Sequence, residues 1–312
     1  MNESERRRQI EEVRKWWNIK RNDLKWNRAY DDNNAHALNY LRERQAAVLN
    51  FVDDLNLPQG SKVLELGYGA GQTALELGKR GFEVYGLDIS EKFSQSATKR
   101  CRNHCPGGKF NLGVGNIEGT FAFEDGAFDL VIVIGALQYL HSPERCLAEV
   151  FRTLKKGGLF IVAQRNAYSL SNLTSFRDLL RSSAHFFLRE EFELFPSIRS
   201  VLLDSKLKRV VSRYEHSRFM NSNFVMKGHA EWKFKIKKRL YSYFTLRSYL
   251  KNAGFSVLKT EGAYFAFSEL QRFADANIHF NRNIKKIAAK WKIPFLFTLG
   301  RSVVALSVKR ER

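Results

Sequence analysis

The chain has 312 residues, 44% hydrophobic and 13% aromatic, long enough to bury a sizeable core and too apolar to be disordered. Three cysteines, Cys101, Cys105 and Cys146, form no CxxC pair and leave one over, which excludes a disulfide framework and suits reduced thiols. The net charge of +20 is lopsided: residues 1–162 hold 23 Lys and Arg against 21 Asp and Glu, and residues 163–312 hold 29 against 11. Either an anionic partner meets the second half or its basic surface serves solubility.

Residues 1–57 read as helical, with Trp16, Trp17, Trp26, Leu38, Leu41, Val48, Phe51 and Leu55 recurring among charges up to Pro58-Gln59-Gly60. This segment is expected to form an N-terminal helical lid. Its first 17 residues are dense in Glu and Arg and lack a secretory signal's apolar core. The longest apolar stretches, Leu130 to Leu140 and Ile293 to Val308, are too short or interrupted by Gly300-Arg301. A cytoplasmic location and no transmembrane segment are expected.

From Lys62 the pattern alternates. Val63 to Leu66 reads as a strand, Gly71 to Lys79 as a helix, Glu83 to Leu87 as a strand and Ser90 to Arg100 as a helix. Lys109 to Val114 and Phe128 to Ile134 follow as strands, the latter the most apolar and so expected at the centre of the sheet. Ser142-Pro143 starts a helix, Ser as cap and Pro in the first turn, which runs to Leu154 and stops at Lys155-Lys156-Gly157-Gly158 with a glycine cap. Leu159 to Ala163 is a fifth strand. Short strands alternating with helices mean a parallel sheet covered on both faces. Residues 166–244 then interrupt as a basic, aromatic-rich cap insertion, after which Thr245 to Ala253 reads as a helix, and Phe255 to Thr260 and Ser302 to Val308 as strands. The expected division is 1–57 lid, 58–165 cofactor-binding core, 166–244 cap and 245–312 return to the sheet.

The chemistry concentrates at Glu65-Leu66-Gly67-Tyr68-Gly69-Ala70-Gly71, where the first strand ends in a glycine turn before a helix. Gly67, Gly69 and Gly71 let backbone pass close to a ligand. Asp88, ending the second strand, projects into the same crevice, where a carboxylate can accept hydrogen bonds from both ribose hydroxyls. A dinucleotide fingerprint would need glycine at position 72, where Gln72 stands. The pair signals a different adenosine cofactor.

With its ExGxGxG turn and Asp88, the stretch 61–165 resembles the class I S-adenosylmethionine-dependent methyltransferases, in particular the small-molecule group related to ubiquinone-biosynthesis enzymes. Fainter similarity extends over Tyr249 to Val257. The resemblance implies an α/β, Rossmann-like mixed seven-stranded sheet with helices on both faces, and S-adenosylmethionine as cofactor. It implies that Glu65 and the backbone of Gly67, Tyr68, Gly69 and Gly71 hold the methionine moiety. Asp88 with Ile89 would take the ribose, and Asn116 and Ile117 the adenine, Asn116 being otherwise an ordinary turn residue. Gly135 and Ala136 open the segment up to His141 that lines the methyl-transfer centre. Relatives often carry one or two histidines where Gln138 and Tyr139 stand, so a family-style histidine base does not carry over.

Methyl transfer from a sulfonium demands alignment and exclusion of water. No metal is required, and Cys101, His104 and Cys105 lack a fourth ligand for one. If the acceptor is a hydroxyl, Tyr139 or His141 is the candidate proton acceptor, against the plainer roles of pocket wall and helix-proximal surface residue. His185, Tyr214, His216 and His229 stay open as alternatives. The fourth strand lacks the Asp/Asn-Pro-Pro-aromatic sequence that goes with methylation of base amino groups, and Cys146 lies inside a helix, which leaves a covalent cysteine mechanism unsupported.

Trp232 to Lys237 alternates apolar and cationic residues. As a strand it could complete a cap over the pocket, or meet an anionic lipid, a phosphorylated substrate or RNA through the basic 166–312 region. Three accounts follow: a methyltransferase acting on oxygen, nitrogen or carbon of a small-molecule acceptor, an RNA methyltransferase, and a cofactor-binding protein without catalysis.

Overall fold

The computed structural model describes residues 3–19, 30, 39–166, 220–225, 233–239, 241–263 and 300–310. Helices α1 (Glu3–Trp17) and α2 (Asn39–Asp54) precede β1 (Lys62–Leu66), α3 (Gln72–Lys79), β2 (Glu83–Asp88), α4 (Glu91–His104) and β3 (Lys109–Val114). Then come β4 (Phe128–Ile134), α5 (Pro143–Thr153), β5 (Leu154–Arg165), β6 (Met220–Val225), β7 (Lys233–Lys238), α6 (Tyr243–Asn252), β8 (Phe255–Ala263) and β9 (Ser302–Lys309).

Seven strands form one sheet in the order β3-β2-β1-β4-β5-β9-β8. The first five run parallel and β9 is antiparallel to both its neighbours, which makes the sheet mixed as expected. β4 holds the centre because it is the most apolar: Leu130 to Val133 are each 0% exposed, a burial that only a strand covered on both faces reaches. Leu64, Val131 and Val162 face a core closed by α5 and α6. Val63, Leu130 and Ile161 face the other, closed by α2 and α3. Among the described residues no helix is long and apolar enough to cross a membrane.

Three local expectations are corrected. α2 sets Ala47, Val48 and Phe51 into the second core, so it is a layer of the sandwich, and α1 is the N-terminal helix at the strand ends. Ser142 does not cap α5 through its side chain; Pro143 opens the helix as read, but the Ser142 amide goes to Glu118. Lys155 to Gly158 is no helix cap either. α5 stops at Thr153, and the Lys-Lys-Gly-Gly segment is an irregularity inside β5, where the register with β4 shifts between Phe128 and Leu130 and Lys155 pairs with Asp129 at 2.6 Å.

β7 pairs antiparallel with β6, and its Ile236 is buried against Val13 and Trp16 of α1. Trp232 lies outside the described residues, as do Trp26, Leu38 and the insertion candidates His185, Tyr214, His216 and His229.

Candidate active site at the strand ends

The turn after β1 owes its path to glycine. Gly67, Gly69 and Gly71 have φ of 72°, 56° and 79°, in the left-handed region that side chains disfavour. Space is equally restrictive: a Cβ on Gly67 would stand 2.6 Å from Ala136 Cβ, and one on Gly71 would stand 2.7 Å from Ala97 Cβ. The β1 turn is thereby pressed against both the loop after β4 and α4.

Asp88, 7% exposed, pins that turn. Its Oδ2 accepts from the Gly69 amide at 2.9 Å and its Oδ1 from the Ser90 amide at 2.9 Å. Each carboxylate oxygen retains acceptor capacity beyond these bonds. Burial pushes Asp88 up to about 6, against the opposing pull of the two amides. Glu65 is more perturbed. Burial first, and then the charge of Asp88, push it up to about 8, although the Thr73 hydroxyl and Ala74 amide bond it. Its Oε2 is buried without a hydrogen-bond partner. An acceptor held dry beside a glycine turn fits a cationic donor such as an amino acid's ammonium.

Tyr68 turns its ring away from the crevice. The ring packs over Gly86, where a Cβ would lie 2.5 Å from it, and its hydroxyl donates to the Gly113 carbonyl at 3.0 Å. Tyr68 therefore offers the crevice only backbone. Ile89 packs beneath α1 with Trp16, Trp17 and Tyr139. Asn116 closes a local turn, its Oδ1 accepting from the Glu118 amide at 3.0 Å, while Ile117 is buried in the first core. Gly135, at φ 71°, donates to Ala163 of β5 and accepts from the Gln138 side chain at 2.8 Å.

Tyr139 and His141 part company. Tyr139 meets Trp17 edge-on at 5.6 Å, and the charges of Arg44 and Arg165 reach its phenol. Burial raises its pKa above the ordinary 10, so at neutral pH it is a hydrogen-bond donor and not a base. His141, 5% exposed, belongs to a different network: its amide donates to Glu118 Oε2 at 2.9 Å, its carbonyl accepts from Arg239, and its Nδ1 lies 3.4 Å from Ser142 Oγ.

Sequence reasoning missed several residues that the fold brings here. Arg44 of α2, 2% exposed, places its guanidinium against Gly135, where a Cβ would lie 2.8 Å from Nη1. It also bonds Tyr30, and its Nε is buried without a hydrogen-bond partner. A buried guanidinium against the loop after β4 is suited to a carboxylate. Glu118, 1% exposed, ties the loop after β4 to α1: besides the His141 and Ser142 amides it faces Arg6 at 3.8 Å. α1 is further fixed by Gln9 on the Tyr139 carbonyl and by Ser90 on the Trp17 carbonyl and Asn18. The helix is thus latched at both ends over the strand termini.

Gln164 is 0% exposed with neither amide atom bonded to protein, on the β5 face that carries Phe160 and Val162. Gln164→Leu, nearly isosteric, is expected to stabilise the chain by about 1–3 kcal/mol, since an unsatisfied buried amide is removed. Thermal unfolding reads this; a lower transition temperature would show the amide to be satisfied.

A family model described as a methyltransferase domain matches residues 64–162. A demethylmenaquinone methyltransferase of Tropheryma whipplei is 28% identical over 132 residues, 39% of this chain and 53% of that protein. An S-adenosyl-L-methionine-dependent Diels-Alderase of Talaromyces variabilis is 32% identical over 111 residues, 35% of this chain and 38% of that protein. The matches thus span about half or less of the length of these curated relatives. The magnesium protoporphyrin IX methyltransferase of Synechocystis PCC 6803, solved with bound SAH, shares the fold with a TM-score of 0.55 at 16% identity, over 96% of this chain and 99% of that one. Residues 64–162 thus match a methyltransferase domain, and the sheet that carries them has the Rossmann-like fold of a methyltransferase solved with SAH bound.

Proposed function

We propose that this chain transfers a methyl group from S-adenosylmethionine to an oxygen, nitrogen or carbon of a small-molecule acceptor. The observation that carries the reading is the partnerless Glu65 Oε2 beside the glycine turn that Asp88 pins. When bound, the cofactor supplies an electrophilic methyl group on sulfur. The chain's own residues bind and orient. Glu65 accepts from the ammonium, Arg44 pairs with the carboxylate, Asp88 takes the ribose hydroxyls, and Asn116 with Ile117 meets the adenine.

Ala136 stands against the turn at Gly67, and Trp17 packed edge-on against Tyr139 would supply an apolar cover that excludes water and favours in-line displacement. Tyr139 serves as a donor that orients the acceptor. If a proton must be taken, His141 is the remaining candidate of the pair, and it would have to reach the crevice from the Glu118 network.

The test incubates the full chain with methyl-labelled S-adenosylmethionine and a cell extract divided into small-molecule and RNA fractions. Label is expected in the small-molecule fraction. Label confined to RNA, or no transfer despite cofactor binding, would overturn the reading in favour of an RNA enzyme or a cofactor-binding protein without catalysis.

A further inference from the structure

The loop after β4 carries Tyr139, and its backbone is held by residues far away in the chain. Leu137–Tyr139 is a short 3-10 turn, and the last carbonyls of such a turn find no partner inside it. Here they have donors from elsewhere. The amide of Arg239, the residue directly after β7, donates to the Gln138 carbonyl at 2.8 Å, and Gln9 Nε2 of α1 donates to the Tyr139 carbonyl at 3.1 Å. The Tyr241 hydroxyl donates to the Leu137 carbonyl at 3.2 Å, and Arg239 Nη2 donates to the His141 carbonyl at 3.3 Å.

Gln9, Arg239 and Tyr241 are all buried, so water does not readily replace these bonds. Arg239 is the centre of the arrangement. Besides the His141 carbonyl, its guanidinium bonds the Tyr249 hydroxyl of α6, lies 5.4 Å from the centroid of the Tyr249 ring and faces Glu144 of α5 at 3.9 Å. A planar fork reaches two acceptors in fixed directions, which the point charge of a lysine does not reproduce. β7, ending at the residue before Arg239, is seated on α1 through Ile236, Val13 and Trp16. α1 and the stretch 239–241 thus converge on one loop. Gln9, Arg239 and Tyr241 all lie outside residues 64–162, the segment that matches a methyltransferase domain and that holds the glycine turn, Asp88 and Tyr139. The backbone path of Tyr139 is therefore set from outside that segment.

Resting on the methyltransferase reading, we propose that Arg239 is a positioning residue for methyl transfer, acting with Gln9 and Tyr241 through the loop 137–141 to aim the Tyr139 hydroxyl at the acceptor. In this role Arg239 touches neither cofactor nor acceptor. Its loss is felt in the rate of transfer and not in cofactor affinity, because Glu65 and Asp88 are held by bonds of their own to Thr73, Ala74, Gly69 and Ser90.

The experiment compares the full-length wild type with Arg239→Lys, Tyr241→Phe, Tyr139→Phe and the pair Arg239→Lys with Tyr139→Phe. Labelled methyl transfer from saturating S-adenosylmethionine is followed over a dilution series of the small-molecule fraction of a cell extract, and S-adenosylhomocysteine affinity by calorimetry. NMR of protein with ring-labelled tyrosine and S-adenosylhomocysteine bound reports on Tyr139, whose signal is the one lost in Tyr139→Phe. Arg239→Lys is expected to lower the maximal rate by about tenfold or more, while the half-saturating dilution and the S-adenosylhomocysteine affinity stay within about twofold of the wild type. The Tyr139 ring signal should shift or broaden. Tyr241→Phe, which removes one hydroxyl and no charge, should act in the same direction more weakly, and it carries the test if Arg239→Lys does not fold. In the Tyr139→Phe background Arg239→Lys should cost little more, since both changes act through one hydroxyl. An unaltered rate, losses that multiply in the pair, or a Tyr139 signal unmoved in both Arg239→Lys and Tyr241→Phe overturns the proposal. Absence of transfer by the wild type would instead strike at the methyltransferase reading, with the Tyr139 signal still deciding whether Arg239 positions the loop.

Discussion

Asp88→Ala is expected to weaken S-adenosylhomocysteine binding by about 1–3 kcal/mol from lost charge-assisted hydrogen bonds to the ribose, and by more once the turn is released. The second contribution comes from the structure. Asp88 holds the amide of Gly69 with one oxygen and that of Ser90 with the other, so its removal frees both the glycine turn and the start of α4. Asp88→Asn should rescue little, because the new amide nitrogen would face a backbone N–H at Gly69 or at Ser90 and two donors would meet. Calorimetry checks both variants, with circular dichroism to confirm the fold. A dissociation constant unchanged in Asp88→Ala would remove the residue from the site. A companion change, Gly67→Val, should abolish binding, since φ of 72° and a Cβ 2.6 Å from Ala136 force the turn to move.

Much of this geometry was legible before any coordinates. The seven strands of the sheet announce themselves as short apolar runs between helical patterns, and the apolarity of Phe128 to Ile134 even predicts which strand is central. The glycine turn and Asp88 were legible because each sits at a strand end, where sequence position and place in the crevice coincide. What escaped is what depends on distant segments meeting. Arg44 read as one more charge in a charged helix, yet it occupies the stripe of Leu41, Val48 and Phe51, all buried, so helical spacing alone marked it as inward-facing. Gln164 carried a similar mark: it continues the alternation of Phe160 and Val162 into the core. Glu118 carried none, since its role appears only when α1 and the loop after β4 converge on it. At Ser142 the expected cap is missing because the Arg145 amide bonds the Ser142 carbonyl, while the hydroxyl lies 3.4 Å from His141 Nδ1.

The second large effect is protonic. Glu65 in the cofactor-free chain is pushed up to about 8 by burial and by Asp88, so at pH 7 it is mostly neutral, and an ammonium arriving at its partnerless Oε2 favours the ionised form. Binding of S-adenosylhomocysteine at pH 7 should therefore release close to one proton. Calorimetry in buffers of different ionisation enthalpy measures it, as a slope that Glu65→Gln flattens; a binding enthalpy independent of buffer in the wild type would refute the assignment. The same shift governs stability. The folded chain holds a proton on Glu65 that the unfolded chain gives up near 4.5, so stability declines as pH rises from about 4.5 to about 8 and levels off above it. Asp88, at about 6 against 3.8, adds to the decline in the lower part of that window. Each proton contributes a slope of roughly 1.4 kcal/mol per pH unit, and Glu65→Gln should remove its share, leaving the variant more stable than the wild type at pH 8 without cofactor. Saturating S-adenosylhomocysteine should flatten the wild-type profile as well, because the bound ammonium offsets the buried charge that made ionisation unfavourable.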